Sequence, residues 1–346
     1  MIAFYITAHG YGHAARSLEV IEALLPHHPV TVVSLVPEPF FRSRLGDALQ
    51  LRPKAFDLGL VQLDSVRGDV PATLAAYQQL MQQTEVLVQE ELDFFAHTDV
   101  RLVLIDAPAL PLAAARDRGI PGLALTSFGW DYIYSQFASS DPGWIDVCAW
   151  FEQNYAQATH LLRYPFSAPM PAIASQEEVP LVSGPGRNRR AHVAALSGAR
   201  LDRPWALVWF HQLDLDPAQL ENLPFEFFTV GSLRWPVSNC HQVSIEFSDL
   251  VASCDLVVSK PGFGILSDCV ANQKPLVYVP RTDFREAQLL ELSIQRHVSH
   301  ARISQTDLYA GRWQQAMEEA LAMPRPATTL ALAGAGPIAE RILSFL

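Results

Sequence analysis

The stretch Asp255-Leu256-Val257-Val258-Ser259-Lys260-Pro261-Gly262-Phe263-Gly264-Ile265-Leu266-Ser267-Asp268 decides how the chain is read. An aliphatic run ends at Ser259, a Pro-Gly turn follows, and apolar residues at helical spacing open near Gly264. This order predicts a buried strand, a tight turn and a helix. The free N–H groups at the start of such a helix face outward and attract anions. Lys260 stands beside the turn and is one of three lysines in the chain, with Lys54 and Lys274. Asp268, about one turn into the helix, is placed to accept two ribose hydroxyls. The competing reading is that the glycines serve helix–sheet packing, Lys260 is solvated and Asp268 is an ordinary early-helix acid.

Outward from this segment, residues 206–210, 225–230 and 275–279 are further strand-like runs. Helix-like stretches lie at 217–222, 264–272, 284–296 and 311–322. Strands alternating with helices predict a parallel α/β sheet. Polar residues that leave such a strand at its C-terminal edge face the crevice where open α/β sheets bind ligands. Glu286 and Gln288 are therefore candidates for hydrogen bonds to sugar hydroxyls. Alternatively they are the exposed first turn of a helix with Asp283 as its N-cap.

The N-terminal half has the same grammar. Residues 2–7 read as a strand, 9–13 as a glycine turn and 14–25 as a helix. Residues 30–36, 101–105 and 122–126 read as strands, with a long helix at 72–95 and a short one at 113–118. Gly10-Tyr11-Gly12-His13-Ala14-Ala15 matches G-x-G-x-x-A in a strand-to-helix context. Three readings stand: a dinucleotide cradle with Glu38 as ribose acid, a substrate-facing catalytic loop, and a tight turn with no further role. His9, His13 and Arg16 flank the turn and favour the second, with His13 as candidate general base.

The chain has 346 residues, beyond the size at which a single core keeps growing. Two domains are expected, 1–165 and 178–330, joined through a proline-crowded stretch at 164–186. Residues 331–346 are expected to form a helix that can pack back on either domain, the N-terminal one among them. Lys+Arg of 25 against Asp+Glu of 36 gives a formal charge of -11, which disfavours nucleic acid and anionic membranes as partners. Four scattered cysteines without a C-x-x-C pair, no basic leader and no long apolar run point to a cytoplasmic protein without a transmembrane segment. Nothing in the sequence speaks to oligomeric state.

Asp214-Leu215-Asp216 spells a metal–nucleotide motif, but Asp216 before Pro217 reads as a helix N-cap with Pro at N1. No metal site is assigned. Arg187, Arg189 and Arg190 either reach a diphosphate or form a solvated face. Trp144, Trp150, Phe151 and Tyr155 either line an acceptor pocket or belong to the core.

On its two glycine loops, His9 to Arg16 and Ser259 to Gly264, the chain resembles the GT-B glycosyltransferases. It is similar to the lipid-linked peptidoglycan GlcNAc transferases and to the glycosyltransferase-like N-terminal region of plant L-arabinokinases. The resemblance implies two Rossmann-like domains facing across a cleft and an inverting, metal-independent transfer of a sugar from a nucleoside diphosphate. No cofactor is implied beyond the nucleotide sugar as co-substrate. The acceptor would be a small molecule, lipid or protein. The implied donor residues are Gly12, His211, Lys260, Gly262, Phe263, Gly264, Asp268, Glu286 and Gln288. His13 and Asp106 would be catalytic, and His9, Gly10, Arg16, Trp130 and Asp131 would meet the acceptor. Phe210-His211-Gln212 stands where many relatives carry a glycine pair, with His211 as substitute donor. An epimerase or hydrolase of the same fold and a non-catalytic nucleotide-sugar-binding module are the alternatives.

Overall fold

The apolar runs Ile2–Ile6 (β1) and Leu102–Asp106 (β4) are buried along their whole lengths, as parallel strands covered on both faces must be. In the computed structural model, which describes residues 1–61, 68–210, 213–281, 284–327 and 330–346, they lie side by side. Around them the described strands form a parallel sheet with Val30–Val33 (β2), Gln50–Arg52 (β3), Gly122–Thr126 (β5), His160–Arg163 (β6) and Gln176–Glu178 (β7). The order is β3-β2-β1-β4-β5-β6-β7. The chain order reverses between β1 and β4, with Ile6 paired to Asp106, so the loops after these two strands leave from a topological switch point.

The helices of this unit are Tyr11–Leu24 (α1), Glu38–Leu45 (α2), Val70–Gln82 (α3), Thr84–Thr98 (α4), Pro111–Arg118 (α5), Trp130–Tyr134 (α6) and Gly143–Tyr155 (α7). The single helix expected over 72–95 is two helices. Gln83 breaks it at φ −98° and ψ 4°, and the Thr84 hydroxyl bonds back to the Met81 carbonyl while accepting from the Trp150 indole. Trp144, Trp150, Phe151 and Tyr155 are buried and belong to the core.

A second parallel sheet contains Trp205–Trp209 (β8), Glu226–Thr229 (β9), Cys240–His241 (β10), Leu256–Ser259 (β11), Leu276–Tyr278 (β12) and His300–Arg302 (β13). Its order is β10-β9-β8-β11-β12-β13. Its helices are Arg190–Ser197 (α8), Phe247–Ser253 (α9), Phe263–Asn272 (α10), Glu286–His297 (α11), Gln305–Tyr309 (α12) and Gln314–Ala322 (α13). Here the reversal lies between β8 and β11. Asp216 caps a short 3-10 turn, accepting from the Ala218 N–H at 3.1 Å, so the expected helix at 217–222 is one turn long.

By internal contacts the chain divides into two units. One comprises 1–61, 68–182 and 330–346, and the other lies within 183–327. The last helix, Gly336–Leu343 (α14), returns to the first unit and packs on α1, burying Ile338, Ala339 and Ile342. Among the described residues, no helix is long and apolar enough to cross a membrane.

Candidate active site

Gly10, at φ +81°, turns the chain from β1 into α1, a backbone geometry that favours glycine. The first turn of α1 then carries His13, and Arg16 three residues later lies on the same face. Both point into the unit toward Asp106. His13 Nδ1 is 2.9 Å from Asp106 Oδ1, Arg16 Nε donates to Oδ2 at 2.7 Å, and Arg16 NH2 donates to Oδ1 at 2.5 Å. Arg16 NH1 donates to Ser127 Oγ at 3.0 Å, and its guanidinium lies 5.0 Å from the centre of the Tyr164 ring. Asp106 is 0% exposed, Arg16 7% and His13 9%. Burial by itself would raise the Asp106 carboxyl, but the Arg16 and His13 charges and their hydrogen bonds hold it well below the usual carboxylate range. The next residue, Ala107, has φ +82°, a region that side-chain-bearing residues rarely adopt, and its carbonyl is held by the Tyr155 hydroxyl at 2.6 Å.

A second carboxylate, Asp57, lies beneath the same loop. It accepts from Thr7 Oγ1 at 3.0 Å and from Trp130 Nε1 at 2.7 Å, and Thr7 Oγ1 accepts from the His9 N–H. Burial pushes the Asp57 carboxyl up to about 6, against the pull of those two hydrogen bonds. Gly59, at φ +62°, packs directly under His9, where a Cβ would come within 2.3 Å of Nδ1. His9 Nδ1 accepts from the Leu60 N–H at 3.3 Å. The Tyr77 hydroxyl accepts from the Leu58 and Gly59 N–H groups, fixing the segment from below. Sequence reading missed Asp57 because β3 before it is short and half-exposed, so no strand end marked the residue. Thr7, Ser127 and Tyr164 were missed for the same reason: single polar residues carry no periodic signal.

The structure places the other expected residues of this unit as follows. Trp130 is fully buried, stacked on Tyr134 and edge-on to His9, so it supports the loop from within. Asp131 is buried too, its Oδ1 over Gly129 without a hydrogen-bond partner among the described residues, and burial pushes its carboxyl up to about 6. Arg16, expected against an acceptor, is turned inward. Gly12 has no described atom within 4 Å of where a Cβ would sit.

In the second unit, β11 ends at Ser259, bonded through its hydroxyl to the Trp209 carbonyl across the switch point. Lys260 is half-buried, and Gly262, which has no side chain to cap the helix, is the N-cap of α10. Gly264 has an ordinary φ and no described atom within 4 Å of a Cβ position. Phe263 is buried, and Asp268 Oδ1 accepts from Ser183 Oγ at 2.9 Å, a positioning contact that sequence reading did not find. Glu286 is the buried first residue of α11, Gln288 is exposed, and the N-cap is Arg285. His211 and Asp283 lie outside the described residues. Of that basic cluster, Arg189 and Arg190 form ion pairs with Asp249 and Asp255 within the unit, and the Arg187 N–H donates to Asp249 Oδ1.

Comparison with solved structures settles the architecture. The calicheamicin glycosyltransferase CalG4 superposes with a TM-score of 0.62 at 15% identity, covering 99% of this chain and 93% of that one. The fold is GT-B. A UDP-glucosyltransferase from Polygonum tinctorium capable of glucosylating indoxyl gives a TM-score of 0.63 at 12% identity, with coverages of 99% and 91%. Arabidopsis thaliana UGT89C1, solved with quercetin, gives 0.63 at 13%, with coverages of 99% and 98%. Among curated proteins, the L-arabinokinase of Arabidopsis thaliana is 27% identical over 355 residues, covering 99% of this chain. The chain spans about a third of that relative's length, 34%. No family model matches the sequence. Within the GT-B fold, both glycine loops leave the C-terminal edges of their sheets at or beside a switch point.

Proposed function

We propose that this chain is an inverting, metal-independent glycosyltransferase that moves a sugar from a nucleoside diphosphate to an acceptor hydroxyl or amine. The observation that carries the reading is the buried His13–Asp106 pair at the β1–β4 switch point, with His13 Nδ1 at 2.9 Å from Asp106 Oδ1. With the proton on Nδ1 and held by Asp106, Nε2 has a lone pair for the acceptor proton. The acceptor oxygen or nitrogen would bond to the anomeric carbon as the bond to the diphosphate breaks on the opposite face, inverting the centre. The departing charge would meet the N-terminal end of α10 and Lys260.

The two bare glycines support the reading. Neither Gly12 nor Gly264 needs a positive φ, and neither is crowded by described atoms. Glycine in a helix costs roughly 0.5–1 kcal/mol relative to alanine, so a ligand that approaches the backbone is the physical reason to have it there. Asp268, pre-oriented by Ser183, would take the ribose hydroxyls, and Glu286 and Gln288 the sugar. Exposed Tyr11, Leu35 and Leu58 border the first loop and suit an acceptor with an apolar portion.

The test is donor consumption with and without acceptors, across a panel of nucleoside diphosphate sugars chosen by thermal shift. Transfer consumes donor only when an acceptor is present. Consumption of donor alone would identify a hydrolase or epimerase, and binding without consumption a sensing module.

A further inference from the structure

We propose that Arg16 is a positioning residue for His13, sharing with Asp106 the control of which imidazole nitrogen carries the proton. The inference rests on the transferase reading for its catalytic meaning, but not for its geometry. His13 Nδ1 faces two groups of opposite kind: Asp106 Oδ1 at 2.9 Å and Arg16 NH2 at 2.8 Å. A guanidinium has donors only, and an ionised carboxylate accepts only. The contact to Asp106 is therefore a hydrogen bond when Nδ1 carries the proton, and the contact to Arg16 is one when it does not. The two cannot hold at once.

Asp106 is poorly placed to win this competition outright. Both its oxygens already accept from Arg16, in a two-point grip from Nε and NH2, and Oδ2 also lies 3.3 Å from the Ser17 hydroxyl. The grip is rigid because Arg16 is itself fixed by Ser127 and Tyr164. In the tautomer with Nδ1 protonated, Nε2 is an acceptor able to receive a proton. In the other, Nε2–H is a donor and His13 cannot act as the base. Arg16 thus sets the fraction of molecules ready to take a proton, acting through His13 without touching the substrate.

The experiment is nitrogen-15 NMR of histidine-labelled protein, with the His13 ring signals identified by their loss in His13→Gln. Arg16→Lys keeps a positive partner for Asp106 but removes the planar second donor, so the His13 signals are expected to move toward the Nδ1–H form. Asp106→Asn removes the competing acceptor charge and is expected to move them toward Nε2–H, with the parent chain between the two. Signals that stay put in Arg16→Lys, or that move the same way in both variants, overturn the proposal. If Asp106→Asn does not fold, the comparison of Arg16→Lys with the parent decides alone. Opposite shifts in a protein that transfers no sugar from any donor would support the positioning role and remove the transferase reading.

Discussion

His13 is the residue on which the proposed chemistry turns. Replacing it with alanine is expected to abolish transfer while leaving nucleoside diphosphate affinity nearly unchanged, because Lys260, Gly264 and Asp268, proposed to hold the diphosphate and ribose, belong to the other unit. Retained turnover, measured as product formed per minute at saturating donor, would eliminate it as the base. Asp57 gives a different kind of prediction. Its carboxyl is raised in the folded chain to about 6, so the native state binds this proton more tightly than the unfolded one. The stabilisation from that proton is complete below the unfolded carboxylate pKa and is lost as pH rises through about 6, a change of about 3 kcal/mol for this group. Urea midpoints measured at about pH 4.5 and about pH 7.5 should differ less in Asp57→Asn than in the parent, and an equal difference would show that Asp57 is not the titrating group. Asp106 works in the opposite sense, since its contribution fades only as the solution becomes strongly acidic.

At the level of elements, the starts of α1 and α10 carry the argument. Gly264→Ala should leave the fold intact or stabilise it by up to about 1 kcal/mol, since none of the described residues crowds the new methyl. The same change should weaken nucleoside diphosphate binding by about tenfold or more, if a phosphate approaches that backbone. Unchanged affinity by calorimetry would move the donor elsewhere. Gly59→Ala is expected to go the other way, because its positive φ and the His9 ring both oppose a Cβ. A loss of roughly 1–3 kcal/mol in urea unfolding is expected. Much of this level was legible beforehand. The strand–glycine–helix order at both loops follows from aliphatic runs broken by Gly and Pro, and the N-cap at Asp216 from its place before Pro217. The break at Gln83 was not legible, because a helix spanning 72–95 keeps its apolar spacing across that residue and only the Thr84–Trp150 contact marks the interruption.

For the molecule as a whole, α14 ties the C-terminus back to the helix that carries His13. Ile342 is fully buried there, and Ile342→Ala should cost about 2–5 kcal/mol, read as a lower thermal midpoint. A midpoint equal to the parent's would mean that α14 does not brace α1. The alternation of strands and helices, the α/β class and both strand–glycine–helix loops were determined by the sequence itself, because each depends on residues within a few positions of one another. The partnerships inside the site were decided only by tertiary structure. Arg16 meets Asp106 across 90 residues, and Trp130 meets Asp57 across 73. Those meetings exist because β1 pairs with β4 in one register and the chain after β3 folds under the loop. Local spacing contains no information about such pairing, so a sequence can name His13 and Asp106 but cannot show that Arg16 contacts both.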